Sequence, residues 1–345
     1  MATIRDVAKQ LNLSITTVSR ALDGYDDVAE NTRQLVIQTA RAMGYVPNRA
    51  ARQLRRQRSD TIGYILPASA PQFSDPFFAE FITGLGDQAS SQNFDLLVST
   101  ASPASETEQS AYQRWAHGRK VDGVILNRMR LYDWRVQFLH QVKLPFVSLE
   151  RSLDPIDYPC IEVDGASGFE KMLDCLVQIG HRRIAYVSGP PDLKTQSDRL
   201  TGYRQGLENA GIPFDPGLVM SGDTTRTGGY QAAKILLGLP DPPTAISCFN
   251  DLTAIGVLHA ANELGLKVGR DLAVTGFDGI ADSEHTLPPL TTLDQPLYEI
   301  ARQLVTMLIA QINGEFLAEQ CVRFQPQLIL RQSTSREEDG PIYQH

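Results

Sequence analysis

The chain has 345 residues, 42% of them hydrophobic and 21% charged, enough for a small module plus a large globular core. No apolar run reaches the ~18 residues of a membrane span and no signal peptide precedes the charged opening segment, so a cytoplasmic protein without a membrane partner is expected. The net charge of −8 argues against wholesale binding to nucleic acid, but residues 1–60 carry ten Lys and Arg against six Asp and Glu, a basic head on an acidic body.

Ile4, Val7, Ala8 and Leu11 fall at helical spacing, one apolar stripe. Asn12 and Leu13 interrupt it, and Ser14 is a good N-cap for a second helix whose stripe is Val18, Ala21 and Leu22. A third helix over 32–43 must cover both, with Leu35, Val36, Thr39 and Met43 as its inner face. This is the pattern of a helix-turn-helix domain, whose second helix enters the DNA major groove. Ile15 suits a thymine methyl, Thr16 a base edge or phosphate, and Arg20 a guanine edge or phosphate. Thr17 and Ser19 are hydroxyls suited to the DNA backbone. Thr3 and Ser14, at the helix starts, join this DNA-facing set. So do Asn31 and Thr32, expected to cap the third helix where backbone N–H groups can meet phosphate. The alternative is a plain helical bundle with a polar face.

Residues 46–60 form an arginine-rich linker that Pro47 separates from the head. Three segments, TIRDVAKQLNLSITTVSRAL, VAENTR and GYVPNRAARQLRRQRSDTIGYIL, together closely resemble the LacI–GalR family of bacterial transcription regulators. The resemblance extends over all but the last dozen residues. It implies that two linker segments fold as hinge helices in the minor groove, with Asn48, Arg49 and Ala51 at the DNA and Leu54 wedged between base pairs. The other reading of Leu54 is packing back on the head.

From Thr61 strand-like runs (TIGYIL, FDLLVST, DGVILN, PFVSLE, RRIAYVSG, AISCFN, LAVTGFD) alternate with amphipathic segments. Buried parallel sheets covered on both faces are expected, in two doubly wound lobes. The fold class is therefore an all-α helix-turn-helix head plus an α/β effector domain, which the resemblance makes periplasmic-binding-protein-like. Crossings between lobes are placed near 161–164, 289–292 and 322–325. The first lobe then holds residues 61–161 and 292–322, and the second 162–290 and 323–332. Residues 333–345 are polar and aperiodic and read as a disordered tail.

No Walker loop, GxGxxG or GxSxG occurs, and the six histidines lack metal-ligand spacing, so no enzyme, cofactor or metal is expected. Cys160, Cys175, Cys248 and Cys321 are far apart and read as buried free thiols. What remains is a cleft at the carboxyl ends of strands. Asp75 and Phe77 follow the first strand, Asn127 the third, Arg151 the fourth, and Asn250 and Asp278 two later ones. The resemblance makes Arg199, Asn250 and Asp278 contacts to sugar hydroxyls, and Phe77 is a candidate wall for a sugar face. Asp251 reads as a helix cap, and Arg199 with Asp278 can equally be an ion pair across the gap between lobes. Glu150 before Arg151 departs from the aspartate usual in relatives. The expected partners are a double-stranded operator, a sugar-type effector and a second copy of the chain, in a repressor. A purine-like co-repressor, or a solute-binding protein without DNA contacts, are the other readings.

Overall fold

A computed structural model describes residues 2–45, 58–67 and 75–335, and divides the chain into units of 1–59 and 60–345. The hinge residues Asn48, Arg49, Ala51 and Leu54 lie outside the described residues.

The first unit holds α1 (Ile4–Leu11), α2 (Ile15–Leu22) and α3 (Glu30–Ala42). Thr3 starts α1 through a capping box with Asp6, and Asn12 ends it at φ 53°, a left-handed cap that turns the chain directly into α2. Ser14 caps α2 by accepting from Thr17 N at 3.0 Å. Val7, Val18 and Val36 are fully buried at the centre, with Ala8, Ala21, Val28 and Ala40 around them. Two expectations for α3 fail. Its N-cap is Ala29, with no side-chain cap, so Asn31 and Thr32 lie one and two residues inside the helix rather than at its cap. Leu35 is 51% exposed, because Val36 and Ala40 already fill the face toward α1 and α2.

The second unit contains two six-stranded sheets. The first comprises β1 (Thr61–Pro67), β2 (Asp95–Ala101), β3 (Gly123–Leu126), β4 (Phe146–Leu149), β5 (Cys160–Val163) and β11 (Cys321–Phe324), in the order β11-β5-β4-β3-β1-β2. All its pairings are parallel. Helices α4 (Pro76–Ser91), α5 (Glu106–His117), α6 (Trp134–Gln141) and α11 (Leu297–Asn313) accompany it. The second comprises β6 (Ile184–Ser188), β7 (Val219–Ser221), β8 (Ala245–Cys248), β9 (Ala273–Asp278), β10 (Thr291–Asp294) and β12 (Gln327–Ile329), in the order β12-β10-β9-β8-β6-β7. Its helices are α7 (Gly165–Gln178), α8 (Lys194–Asn209), α9 (Arg226–Leu237) and α10 (Asp251–Glu263). Only β12 runs antiparallel among these pairings.

The central strands β3, β4, β8 and β9 are buried throughout, as strands covered on both faces must be. One apolar cluster joins Tyr64, Phe81 and Leu304 in the first lobe to Phe169, Tyr186 and Phe277 in the second. Separate clusters lie beneath α5 and α6, around Trp115, and beneath α9 and α10, around Val257.

The chain passes between lobes after β5, after β10 and between β11 and β12. The second passage was expected at 289–292 but follows Asp294, because Thr291–Asp294 pairs in parallel with β9 and belongs wholly to the second sheet. The expected tail also begins too early. Ser333 is fully buried, donating to Val274 O at 2.6 Å and accepting from Thr291 N at 2.8 Å, and only 336–345 lie outside the described residues. Of the cysteines, Cys160 and Cys248 are buried but Cys321 is exposed, since it lies on the edge strand β11.

Candidate effector cleft and DNA-binding head

On the head, Thr3, Ser14, Ile15, Thr16 and Asn31 are exposed, and Thr17, Ser19, Arg20 and Thr32 are half-buried. Local bonds already occupy several of these groups. The Thr3 hydroxyl serves the capping box, and the Ser14 and Thr17 hydroxyls lie 2.8 Å apart. Arg20 Nε donates to Asp27 Oδ1 at 3.0 Å, and its guanidinium stacks 4.7 Å over the Tyr25 ring. The pair is exposed and so worth about 0–1 kcal/mol, a small barrier to exchanging Asp27 for a phosphate or base edge.

In the second unit one cleft collects residues just past the carboxyl ends of strands in both sheets. Asn127 and Arg128 follow β3, Glu150 follows β4, and Asp75, Phe77 and Phe78 open α4. From the second lobe come Leu193 and Thr195 beside α8, Arg199 on it, Thr224, Phe249, Asn250, Asp278 and Gln295. Four non-glycine residues here have left-handed backbone: Arg128 at φ 48°, Thr224 at 56°, Glu150 at 72° and Asp278 at 111°. Such strain persists only where surrounding structure enforces it, and it concentrates at functional sites.

The second-lobe wall centres on Arg199. Its guanidinium lies 3.6 Å from the Phe277 ring centroid and 4.4 Å from that of Phe249, donates to Phe249 O, and meets Asp278 Oδ1 at 3.4 Å. Gln295 Nε2 donates to the same carboxylate oxygen at 2.7 Å. Burial lifts Asp278 to about 7, against the lowering pull of Arg199. Asn250 accepts from Thr253 N at 3.0 Å as the N-cap of α10, and its Nδ2 donates to Thr224 O at 3.3 Å. Opposite, Asn127 Nδ2 donates to the buried Tyr64 hydroxyl at 2.6 Å, and Asp75 accepts from Phe77 N at 3.1 Å. Glu150 Oε1 accepts from Val163 N at 3.1 Å, and burial raises its carboxyl to about 8, so it is a neutral acid at pH 7.

At one side the lobes are tied by backbone. Leu131 N donates to Asp192 O at 2.9 Å and Lys194 N to Met129 O at 2.8 Å, flanking an antiparallel bridge between Arg130 and Leu193. Arg135, buried under this loop, pairs with Asp133 at 2.6 Å and donates to the carbonyls of Asn127 and Arg128, each at 3.2 Å.

Residues 3–48 match the family model for bacterial regulatory proteins of the lacI family, and residues 173–334 match a periplasmic-binding-protein-like domain. The HTH-type transcriptional repressor CytR of Escherichia coli K12 is 35% identical over 96% of both chains. The chain belongs to the lacI family. Its members are DNA-binding regulators of transcription, and the head described above is the family's helix-turn-helix. Among solved structures, a lac repressor dimer bound to operator and an anti-inducer aligns with a TM-score of 0.82 at 27% identity, over 97% of this chain and 99% of that one. A complex of the regulator CelR with cellobiose aligns with 0.75 at 30% identity, over 96% of this chain and all of that one.

Within this lacI-family frame, six of the seven effector residues expected from the sequence line one cleft: Asp75, Phe77, Asn127, Arg199, Asn250 and Asp278. Arg151 does not. It turns back into the first lobe, bonding Asp157 Oδ1 and Tyr158 O at 2.8 Å each and stacking over the Tyr158 ring, and Glu150 faces the cleft in its place. The Arg199–Asp278 pair is real but spans no gap, since α8 and β9 both belong to the second lobe. Nor does Asp251 cap α10. Asn250 caps it, while Asp251 is fully buried, accepting from Thr292 Oγ1 at 2.6 Å and Ile280 N at 2.9 Å. Thr195 and Gln295 escaped sequence reasoning. Gln295 follows β10, a strand that the expected bounds had assigned to the first lobe.

Proposed function

We propose that this regulator is a homodimeric repressor that holds a palindromic operator and releases it when a sugar-type effector occupies the cleft. The observation that carries the reading is the Arg199–Asp278–Gln295 network beside Asn250, in which guanidinium, carboxyl and amide groups converge on one open space. A ring with adjacent hydroxyls, each both donor and acceptor, can satisfy such a set, and the Phe77 and Phe78 side chains offer it an apolar wall. Two relatives support the class of ligand: the CelR structure holds cellobiose, and a family regulator from Enterococcus faecium holds ribose at a TM-score of 0.69.

In this reading Ile15, Thr16 and Arg20 read base edges, while Thr3, Ser14, Thr17, Ser19, Asn31 and Thr32 hold the backbone. Asn48, Arg49, Ala51 and Leu54 engage the operator centre as hinge segments, Leu54 as the wedge. Two copies are needed because a single head contacts too few base pairs for specific affinity. The effector prefers one arrangement of the lobes by a coupling of ~1–3 kcal/mol, which suffices for release. The chain acts where the genome is, in the cytoplasm, and performs no catalysis.

The test is operator release. A panel of sugars is titrated against the protein–operator complex, and the active sugar is repeated with Arg199→Gln and Asp278→Asn. Both variants should occupy the operator yet resist release by at least about tenfold in sugar concentration, the equivalent of one lost charge-assisted bond. Release at wild-type concentrations would remove these residues from the effector site.

A further inference from the structure

Arg128 is the cleft cation left over by this network. Its side chain lines the cleft, yet no hydrogen bond or ion pair ties its guanidinium among the described residues. Asp75, whose charge acts on Arg128, forms no ion pair with it and accepts from Phe77 N as the cap of α4. The backbone that aims Arg128 is enforced: its φ is 48°, and the buried Arg135 grips its carbonyl and that of Asn127. A half-buried guanidinium with no hydrogen-bonded partner among the described residues, drawn by the charge of Asp75 and more distant carboxylates, is costly, and a rigid loop here maintains it.

A second feature faces the same place from the other lobe. Helix α8 starts at Lys194 after Leu193, with no side-chain cap, and its second residue, Thr195, lines the cleft. The antiparallel bridge between Arg130 and Leu193 and the bond from Lys194 N to Met129 O bring the start of α8 beside the loop that carries Arg128, and Arg128 and Thr195 line the same cleft. An uncapped helix start carries partial positive charge and unused N–H donors. With a bidentate guanidinium opposite, it makes a two-sided anion clamp.

We infer that the effector carries an anionic oxygen group, held between Arg128 of the first lobe and the amino end of α8 in the second. The inference rests on the sugar-effector reading and narrows it to phosphorylated or carboxylated sugars. An anion there bridges the lobes beside the backbone tie at residues 129–131 and 192–194, so its binding is coupled to their closure.

The probes are inorganic phosphate and acetate, compared with chloride at equal ionic strength on the full-length chain, read by melting temperature and titration calorimetry. Phosphate or acetate should raise the melting temperature saturably above chloride, and whichever does so at lower concentration identifies the acid type. Arg128→Gln should weaken that binding about tenfold. Asp75→Asn keeps an acceptable helix cap and removes a competing charge, so it should strengthen the binding. No shift beyond chloride from either anion overturns the inference without any variant, as does an Arg128→Gln chain that binds like wild type. A neutral sugar that releases operator equally from wild type and Arg128→Gln would also overturn it, while leaving the cleft function intact.

Discussion

Glu150 shows how one buried side chain can make the body's stability depend on pH. Its carboxyl accepts a backbone hydrogen bond from Val163 N and forms no ion pair among the described residues, so burial outweighs that bond and the pull of Lys194 and raises it from 4.5 to about 8. Between those values the folded chain holds a proton that the unfolded chain has lost, so stability falls as pH rises, at most about 1.4 kcal/mol per pH unit for this group. Asp278, raised to about 7, acts in the same direction. The body should therefore melt at a higher temperature at pH 5.5 than at pH 8, and Glu150→Gln should flatten that slope. A slope unchanged in the variant would mean that Glu150 is already ionised. Neither the pKa nor the orientation was legible in the text PFVSLER. The sequence placed Arg151 in the cleft, but whether residue 150 or 151 faces it depends on the left-handed turn at Glu150, where φ is 72°.

At the level of elements, the second lobe is held by helices packed backbone to backbone. A Cβ added at Gly256 on α10 would lie 2.0 Å from Arg226 O, and one at Gly229 on α9 would lie 2.1 Å from Thr253 O. Gly256→Ala should consequently lower stability by about 1–3 kcal/mol through overpacking, visible as a lower urea midpoint. An unchanged midpoint would show that α9 and α10 separate freely. Long buried strands such as β1 and β9 were legible because β-branched and aromatic runs stand out between helical periods. The three-residue strands β7 and β12 were not, since so short a segment is a strand only by virtue of its neighbour. β10 was assigned to the wrong lobe for the same reason.

Over the whole molecule, charge is divided between units. The net charge of +4 in residues 1–60 against −12 in the rest means that only the head attracts DNA. Operator affinity should fall steeply with salt, with a log–log slope near −0.9 for each phosphate neutralised. Binding assays between about 50 and 200 mM salt measure it, and a flat dependence would exclude phosphate contacts by the arginine-rich segment. The salt slope reports the DNA contacts alone, whereas the sugar titration reports the cleft, so the two halves of the proposed function can fail separately.

The sequence by itself determined the helix-turn-helix, the alternation of strands and helices in two lobes, and most of the cleft, because periodicity, caps and strand ends are local properties. Asp75, Asn127, Asn250 and Asp278 were legible as polar residues at the ends of apolar strands. Only the tertiary structure decided that Asn250 rather than Asp251 caps α10, that Arg199 and Asp278 pair within one lobe, and that Arg128 has no hydrogen-bonded partner among the described residues. Those outcomes depend on which groups meet across strands and helices distant in sequence. A buried charge is satisfied or stranded by neighbours that no local pattern encodes.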